Sequence, residues 1–258
     1  MNDDARLVVT SSRRASNATR AFAREKAVEW QFPYVDRSDL SLDQASENAA
    51  AVFVFRNDGL VLSTDRAQLR FDLGTAVLRL RAIERGESDQ LMRAGELVSG
   101  DRVFDATLGL GRDALVASRV VGPHGQVVAV ESNRALFTLV DEGLSSLSIG
   151  DDKAIIQRVL GDSRQILSGT PTSSFDVVVV DPMFNLPAKS DGTFEALREF
   201  ADPSRLDPVW VRQARRVAKR WVIVKARYEV HWFNSEGLMR VPGMESSRWW
   251  RASGCSDS

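Results

Sequence analysis

The stretch Phe175-Asp-Val-Val-Val-Val180, followed at once by Asp181-Pro182-Met183-Phe184, decides how this chain is interpreted. An uninterrupted apolar run of this length is typical of a strand buried on both faces of a parallel sheet. The carboxyl end of such a strand opens onto the sheet edge where α/β proteins bind their ligands. There a carboxylate and nearby carbonyls can accept hydrogen bonds from a planar amine, and a phenyl ring can stack on the attached base. An ordinary turn is the alternative interpretation, because Asp-Pro is common in turns.

A glycine-containing loop lies upstream of this motif. A short strand starting at Val103 leads into a loop with Gly109 and Gly111, and residues 113–121 are predicted to form a helix. Glycine lets the backbone approach a ligand closely and adopt positive φ values. A second predicted strand ends at Glu131, whose carboxylate is placed to accept both hydroxyls of a ribose. The pattern is typical of a nucleotide-binding βαβ unit.

Two cofactors compete for this loop. The pattern Gly109-x-Gly111-x-x-Ala114, with Glu131 at about the expected distance, fits the relaxed fingerprint of NAD-dependent dehydrogenases. A dehydrogenase places a phosphate over the helix N-terminus, where this chain has Asp113, and like-charge repulsion disfavours a pyrophosphate there. Asp105, at the end of the first strand, suits the cationic amino-acid portion of a cofactor. The two acids favour S-adenosylmethionine over NAD.

A third predicted strand, residues 155–160, is followed by Asp162 and Ser163. This polar pair can hydrogen-bond the edge of an adenine. It can also cap the helix that runs toward Leu167, because Asp and Ser are preferred N-cap residues. Both roles are compatible, so both are kept.

In this order, the motifs resemble those of class I S-adenosylmethionine-dependent methyltransferases. They are Asp-Ala-Thr-x-Gly-Leu-Gly-Arg-Asp-Ala at 105–114, the acid Glu131, Asp162-Ser163 and the Asp-Pro-Met-Phe motif at 181–184. More narrowly, the chain from about Gly74 onward is similar to the small-subunit ribosomal RNA guanine-N2 methyltransferase J family. Residues 1–73 look more like a related group from Gram-positive bacteria.

The resemblance, together with the loop residues, implies a set of site residues. The expected cofactor-binding residues are Asp105, Thr107, Gly109, Gly111, Arg112, Asp113, Glu131, Ser132, Asp162, Ser163 and Asp181. Asp181, Pro182 and Phe184 are expected to hold and stack the acceptor amine, so that catalysis is mostly positioning. The candidate substrate contacts are Arg79, Arg81, Lys189 and Arg198.

The resemblance implies ribosomal RNA, or the small ribosomal subunit, as the partner. The family is rich in lysine after the Asp-Pro-Met-Phe motif and has a basic, glycine-rich stretch before the first strand. Here residues 184–200 contain only Lys189 and Arg198 as basic residues, and residues 77–87 contain three arginines but one glycine. Three alternatives therefore stay open: a small-molecule or protein acceptor, a non-catalytic nucleotide-binding module and an NAD oxidoreductase.

The expected fold class is α/β, a Rossmann-like methyltransferase sheet closed by an antiparallel hairpin. Residues 1–73 are predicted to form a small N-terminal α/β domain, 74–98 a linking helix region and 99–258 the S-adenosylmethionine-binding domain. The predicted helices are 15–30, 41–48, 73–83, 193–200 and 206–218. Residues 51–62 are predicted to form a hairpin with an Asp-Gly turn, residues 220–225 a core strand, and residues 237–244 and 247–252 the closing pair.

Composition indicates a cytoplasmic enzyme. The formal net charge of the 258 residues is −1, so any RNA-binding surface must be local. Cys255 is the only cysteine, which suits a reducing compartment. We expect no signal peptide, no membrane span and no metal site, because neither histidine has partners at ligand spacing. The basic run from Arg212 to Arg227 is explained either by a solvated helix face or by RNA contact.

Overall fold

The structure of the chain is a computed structural model that describes residues 6–37, 40–45, 47–147, 153–182, 197, 199–200, 206–226, 229–244 and 248–255. These residues fall into two compact units. The first unit contains the described residues of 1–72, 133–146 and 186–201, and the second contains those of 73–132, 147–185 and 202–258. The three-part division expected from the sequence, with boundaries near 73 and 98, stays a prediction.

The N-terminal part of the first unit contains a small sheet flanked by helices. Its elements are β1 (Leu7–Ser11), α1 (Asn17–Trp30), α2 (Leu42–Ala45), β2 (Ala51–Arg56), β3 (Gly59–Ser63) and β4 (Gln68–Leu69). The described strands pair in the order β1-β2-β3-β4, with β1 parallel to β2 and the other pairs antiparallel. Gly59 has a φ of 124° at the tight turn between β2 and β3, which confirms the predicted hairpin. Helix α2 is shorter than predicted, and Asn48 beyond it is left-handed with a φ of 61°.

The remaining elements follow in chain order. They are α3 (Thr75–Glu84), α4 (Gln90–Gly95), β5 (Arg102–Asp105), α5 (Arg112–Val121), β6 (Gln126–Glu131), α6 (Arg134–Ser145), β7 (Ile156–Leu160), α7 (Ser163–Gly169), β8 (Phe175–Val180), α8 (Pro208–Val217), β9 (Ala218–Lys225), β10 (Met239–Arg240) and β11 (Trp249–Ser253). Among the described residues, no helix has both the length and the apolar character needed to cross a membrane.

The second unit is built around a seven-stranded sheet of the described strands, ordered β10-β11-β9-β8-β5-β6-β7. The pairs among β9, β8, β5, β6 and β7 are parallel, whereas β11 pairs antiparallel with β9 and with β10. This order confirms the Rossmann-like methyltransferase sheet with its closing antiparallel hairpin. The strand order reverses between β5 and β8, and open α/β sheets bind ligands at the carboxyl ends of the strands beside such a reversal.

Large apolar side chains fill the core of this sheet. Phe104 and Phe175 make an edge contact with ring centroids 5.3 Å apart, and Val178, Val222 and Trp250 are buried around them. Full burial of one such side chain contributes about 1.5–3 kcal/mol to the free energy of folding. The apolar runs that predicted the strands therefore hold the strand ends in place.

Helix α6 belongs to the first unit, although it follows β6 in the chain. Gly143 in this helix lies against the ring of Phe71, and a Cβ at Gly143 would meet the ring at 2.1 Å. A second cluster in the same unit stacks Phe32 on Phe53, with ring centroids 5.6 Å apart, beside Trp30. The long separation between Phe71 and Gly143 explains why no local sequence pattern predicted this packing.

Some predicted helix bounds differ from the structure. The predicted helix 206–218 is α8, which starts at Pro208 because Asp207 caps it by accepting a 2.8 Å hydrogen bond from the Trp210 N–H. It ends at Val217 because Ala218 already belongs to β9, which therefore starts two residues earlier than predicted. The predicted helix 193–200 lies mostly outside the described residues.

Candidate active site

The carboxyl ends of the parallel strands bring the predicted acids to one edge of the sheet. Asp105 pairs in register with Ala129 of β6 and Val179 of β8, two residues before each of those neighbouring strands reaches its acid. Those acids are Glu131, the last residue of β6, and Asp181, the first residue after β8. Lys225 ends β9 on the far side of β8. Residues from four neighbouring strands thus meet at the strand-order reversal.

Asp105 is a buried carboxylate with one oxygen unused by the protein. Its Oδ1 accepts hydrogen bonds from the backbone N–H of Thr107 at 3.0 Å and from the Thr107 hydroxyl at 3.4 Å. Its Oδ2 is buried and has no hydrogen-bond partner among the described residues. Burial raises the pKa of Asp105 to about 7, and the negative charges of Asp113 and Asp181 act in the same direction. A cationic ligand group would satisfy this oxygen, which fits the amino-acid portion of S-adenosylmethionine.

The glycine loop after β5 adopts the backbone conformation that its sequence predicted. Gly109 and Gly111 have φ values of 51° and 75°, in the left-handed region that favours glycine. The Gly109 N–H donates a 3.2 Å hydrogen bond to Oε2 of Glu131, which ties the loop to the end of β6. Helix α5 starts directly after Gly111 with Arg112, whose guanidinium lies so close to Gly74 that a Cβ there would come within 2.5 Å. The hydrogen bond to Glu131 therefore holds the loop against the end of β6.

The residues predicted to hold the ribose and adenine lie along the ends of β6 and β7. Glu131 is buried, and its backbone carbonyl accepts a 2.9 Å hydrogen bond from the Gly161 N–H, whereas Ser132 is exposed. Asp162 caps α7 by accepting a 2.8 Å bond from the Arg164 N–H, and Ser163 is buried in the first turn. The predicted helix cap is present, and the adenine contact stays a prediction.

Asp181 is held from two directions. Its backbone N–H donates a 2.8 Å hydrogen bond to the Thr107 hydroxyl, so Thr107 links the cofactor loop to the end of β8. Its Oδ2 accepts a 2.7 Å bond from the ammonium of Lys225. Pro182 is buried, while Phe184, Lys189 and Arg198 lie outside the described residues, so their stacking and substrate roles stay predictions.

A chain of ion pairs runs behind Asp181 through residues far apart in sequence. Lys225 also donates a 3.0 Å bond to Asp113, whose other oxygen accepts from Arg79. Arg79 in turn makes a two-pronged pair with Asp89, at 2.8 and 2.9 Å. Burial by itself would raise the pKa of Asp113, but Lys225 and Arg79 hold it below its usual range.

Asp113 therefore acts differently from the expectation drawn from its position at the helix N-terminus. From the sequence alone, the charge of Asp113 is expected to repel a pyrophosphate. In the structure, two cations, Arg79 and Lys225, neutralise that charge. The preference for S-adenosylmethionine then rests on Asp105, whose buried oxygen has no cationic partner among the described residues.

The two arginines expected to contact substrate from α3 differ in their surroundings. Arg79 is largely buried between Asp89 and Asp113, so its side chain is already engaged by the protein. Arg81 is exposed, and its guanidinium has no bonding partner among the described residues. Of the two, Arg81 is the better candidate for a substrate contact, and this role stays a prediction.

The basic run of α8 and β9 is mostly engaged in internal contacts. Arg212 pairs with Glu236, Arg215 donates to the carbonyl of Ser253 at 2.9 Å, Arg216 donates to the carbonyls of Leu167 and Thr170 at 2.6 and 2.7 Å, and Arg220 pairs with Asp101 at 2.6 Å. These contacts favour a structural role for the run over RNA contact.

Lys225 is the functional candidate that sequence analysis missed. Its position one strand beyond Asp181, at the same sheet edge, was the available signal.

Replacing Arg79 with Ala is expected to lower the free energy of unfolding by about 3 kcal/mol, because it leaves Asp89 and the Arg79-facing side of Asp113 without their cation. Arg81→Ala, about 3 Å of helix rise away on the exposed side of α3, is expected to change it by less than about 0.5 kcal/mol. Denaturant unfolding of both variants measures the difference. Equal stabilities would show that the Arg79 ion pairs contribute nothing.

Comparison with known proteins shows which of them this chain is similar to. A family model described as "Putative SAM-dependent methyltransferase" matches residues 34–248. The Bacillus subtilis protein YpiP is 32% identical over 244 residues, which cover 90% of this chain and 93% of YpiP. Ribosomal RNA small subunit methyltransferase J of Laribacter hongkongensis is 32% identical over 166 residues, covering 59% of this chain and 57% of that enzyme. A solved structure of Aeropyrum pernix fibrillarin with bound S-adenosyl-L-methionine is 14% identical and covers 78% of this chain and 81% of its own, with a TM-score of 0.40.

Proposed function

We propose that this chain, which belongs to the family of S-adenosylmethionine-dependent methyltransferases, methylates an exocyclic amine, guanine N2 of ribosomal RNA, in the cytoplasm. Its cofactor is S-adenosylmethionine. The cofactor supplies an electrophilic methyl group, which the amine nitrogen takes with loss of one proton as S-adenosylhomocysteine is released. The amine acceptor and the RNA substrate are the proposed parts.

The observation that carries the amine proposal is the state of the Asp181 carboxylate. Lys225 holds Oδ2, and Oδ1 has no partner among the described residues. A fixed carboxylate oxygen at a strand end is a hydrogen-bond acceptor for an amine N–H. Because Thr107 fixes the backbone of the same residue, the oxygen is held in a defined place. Such positioning is the main contribution that this site offers to catalysis.

Other residues of the chain would bind the cofactor and orient the acceptor amine. Asp105 would hold the amino group of the cofactor through Oδ2, and Glu131 would hold the ribose hydroxyls. Asp181 would orient the amine, and water would take the released proton. A guanine inside a duplex would have to be flipped out of the stack to reach this edge of the sheet.

The similarity to ribosomal RNA small subunit methyltransferase J supports RNA as the substrate. A small-molecule or protein amine is the second candidate. Two observations favour it: the net charge of −1, and the internal contacts made by the arginines of α8. These observations leave Arg81 as the described basic residue on α3 that is free to meet a phosphate.

Label from methyl-labelled S-adenosylmethionine is expected to enter small-subunit ribosomal RNA and to be recovered as N2-methylguanosine after nuclease digestion and mass analysis. The acceptors to compare are naked RNA, small ribosomal subunits and a cell lysate stripped of RNA. RNA from a strain lacking the gene is the matched unmodified acceptor. Label found only in protein or in small molecules would transfer the proposal to the second candidate.

A further inference from the structure

The carboxylate that is proposed to hold the acceptor amine is itself held by a cation. The ammonium of Lys225 lies 2.7 Å from Oδ2 of Asp181 and 3.0 Å from Oδ2 of Asp113. It also lies 5.0 Å from the ring centroid of Trp249, which pairs with Lys225 in the antiparallel register of β9 and β11. Three groups from different elements thus fix one ammonium beside Asp181.

The groups around Asp181 raise or lower the pKa of its carboxyl, and Lys225 is one that lowers it. Among the described residues, the charged groups that act on Asp181 are Asp105 at the end of β5, Asp113 in α5, Lys225 in β9 and Arg248 just before β11. Burial raises the pKa of Asp181, and Asp113 adds to the rise, while Lys225 and the more exposed Arg248 lower it. Burial by itself would lower the pKa of Lys225, but the two carboxylates raise it above its usual range. Lys225 therefore stays charged at neutral pH.

We propose that Lys225 is a positioning residue that acts through Asp181, fixing Oδ2 so that Oδ1 faces the acceptor and opposing the effect of burial on the carboxylate. This inference rests on the proposed function in one respect, namely that Asp181 holds the acceptor amine. It adds a physical link between Asp181 and helix α5. Lys225 also pairs with Asp113 in the first turn of α5, the helix that follows the glycine loop. One ammonium therefore links the Asp181 carboxylate to this helix.

Removing the ammonium is expected to make the Asp181 carboxyl harder to ionise. In Lys225→Met and Lys225→Gln, the midpoint of the Asp181 carboxyl titration is expected to rise by about one pH unit or more, because an opposite charge within about 4–6 Å shifts such a midpoint by about 1–3 units. Lys225→Arg keeps the charge and is expected to stay near the native midpoint. Carbon-13 NMR of aspartate side chains follows the titration, and Asp181→Asn assigns the signal.

The matched control is Lys219→Met. Lys219 is in the same strand β9, where it pairs with Asp176 at 3.7 Å near the opposite end of β8. It is expected to leave the Asp181 midpoint unchanged. A midpoint that moves equally in the Lys219 and Lys225 variants, or in neither, would overturn the inference. Because Lys225→Met and Lys225→Gln are separate variants, one can be measured if the other folds poorly.

Kinetics give an independent readout with small ribosomal subunits as the acceptor. Lys225→Met is expected to move the acidic limb of the kcat profile to higher pH by the same amount as the NMR midpoint, and Lys225→Arg is expected to restore it. A uniform fall in kcat at every pH would indicate a structural role and overturn the inference. If the native protein transfers no methyl group to subunits, the proposed acceptor fails, while the NMR titration still decides the role of Lys225.

Discussion

Replacing Asp181 with Ala is expected to lower the rate of methyl transfer at least about 10²-fold, the order of loss that follows when a positioning group is removed. The physical reason is that Oδ1 of Asp181 is the oxygen available to the acceptor amine, since Oδ2 is held by Lys225. Single-turnover transfer of labelled methyl to the acceptor identified for the native protein measures the effect.

The backbone should keep its place in this variant. The hydrogen bond from Asp181 to the Thr107 hydroxyl uses the backbone N–H, which alanine retains, so the link between the glycine loop and β8 survives. We therefore expect the affinity for S-adenosylhomocysteine to fall much less than the rate. Asp176→Asn, near the opposite end of the same strand, is the matched control and should transfer methyl groups at the native rate. Near-normal turnover of Asp181→Ala would remove the Asp-Pro-Met-Phe motif from the catalytic site.

The fold was predictable because its main signals are local. The apolar runs of β5, β6 and β8 marked buried strands, and the acid that follows each run marked the carboxyl edge of the sheet. Asp105, Glu131 and Asp181 follow this rule, and the structure places all three at that edge. Glycines with positive φ at 109 and 111 are likewise a local property of the loop. The closing hairpin was predictable in place, although β10 is only two residues long.

The ion-pair chain was not predictable by the same reasoning. Arg79 and Asp113 are 34 positions apart, Asp181 and Lys225 are 44 apart, and Asp113 and Lys225 are 112 apart. Their contacts depend on sheet register and on where α3 packs, neither of which a window of sequence contains. In sequence, Lys225 belongs to one basic run with Arg212 and Arg216, whereas the structure puts it on a strand end and them on a helix.

Replacing Asp105 with Asn is expected to weaken S-adenosylhomocysteine binding at least about 10²-fold, because the amide leaves the cofactor's ammonium without a charged partner. The buried Oδ2 of Asp105, which has no partner among the described residues, is the atom that this ammonium would meet. Calorimetry measures the affinity. Asp101→Asn, at the other end of β5 and paired with Arg220, is expected to keep native affinity. Micromolar binding of NAD, with no binding of S-adenosylhomocysteine by the native protein, would contradict the cofactor assignment.

Asp105→Asn is expected to weaken cofactor binding but to stabilise the folded protein, by an amount that depends on pH. The pKa of Asp105 is about 7 in the folded protein, against about 3.9 in an unfolded chain. Below the unfolded value both states are protonated, and no penalty exists. As the pH rises toward 7, the unfolded state ionises first, so the native protein loses up to about 4 kcal/mol of stability from this group. Asparagine cannot ionise, so Asp105→Asn removes this loss.

The stability difference between Asp105→Asn and the native protein should therefore grow in favour of the variant from about pH 4 to about pH 7 and then level off. Cofactor binding in the native protein should strengthen over the upper part of the same range, because only the ionised carboxylate pairs with the ammonium, whereas binding to the variant should stay flat. Measurements below about pH 7.5 keep the amino group of the ligand charged. Denaturant unfolding and calorimetry across this range test both curves. A stability difference that is independent of pH would show that Asp105 is already ionised in the folded protein without cofactor.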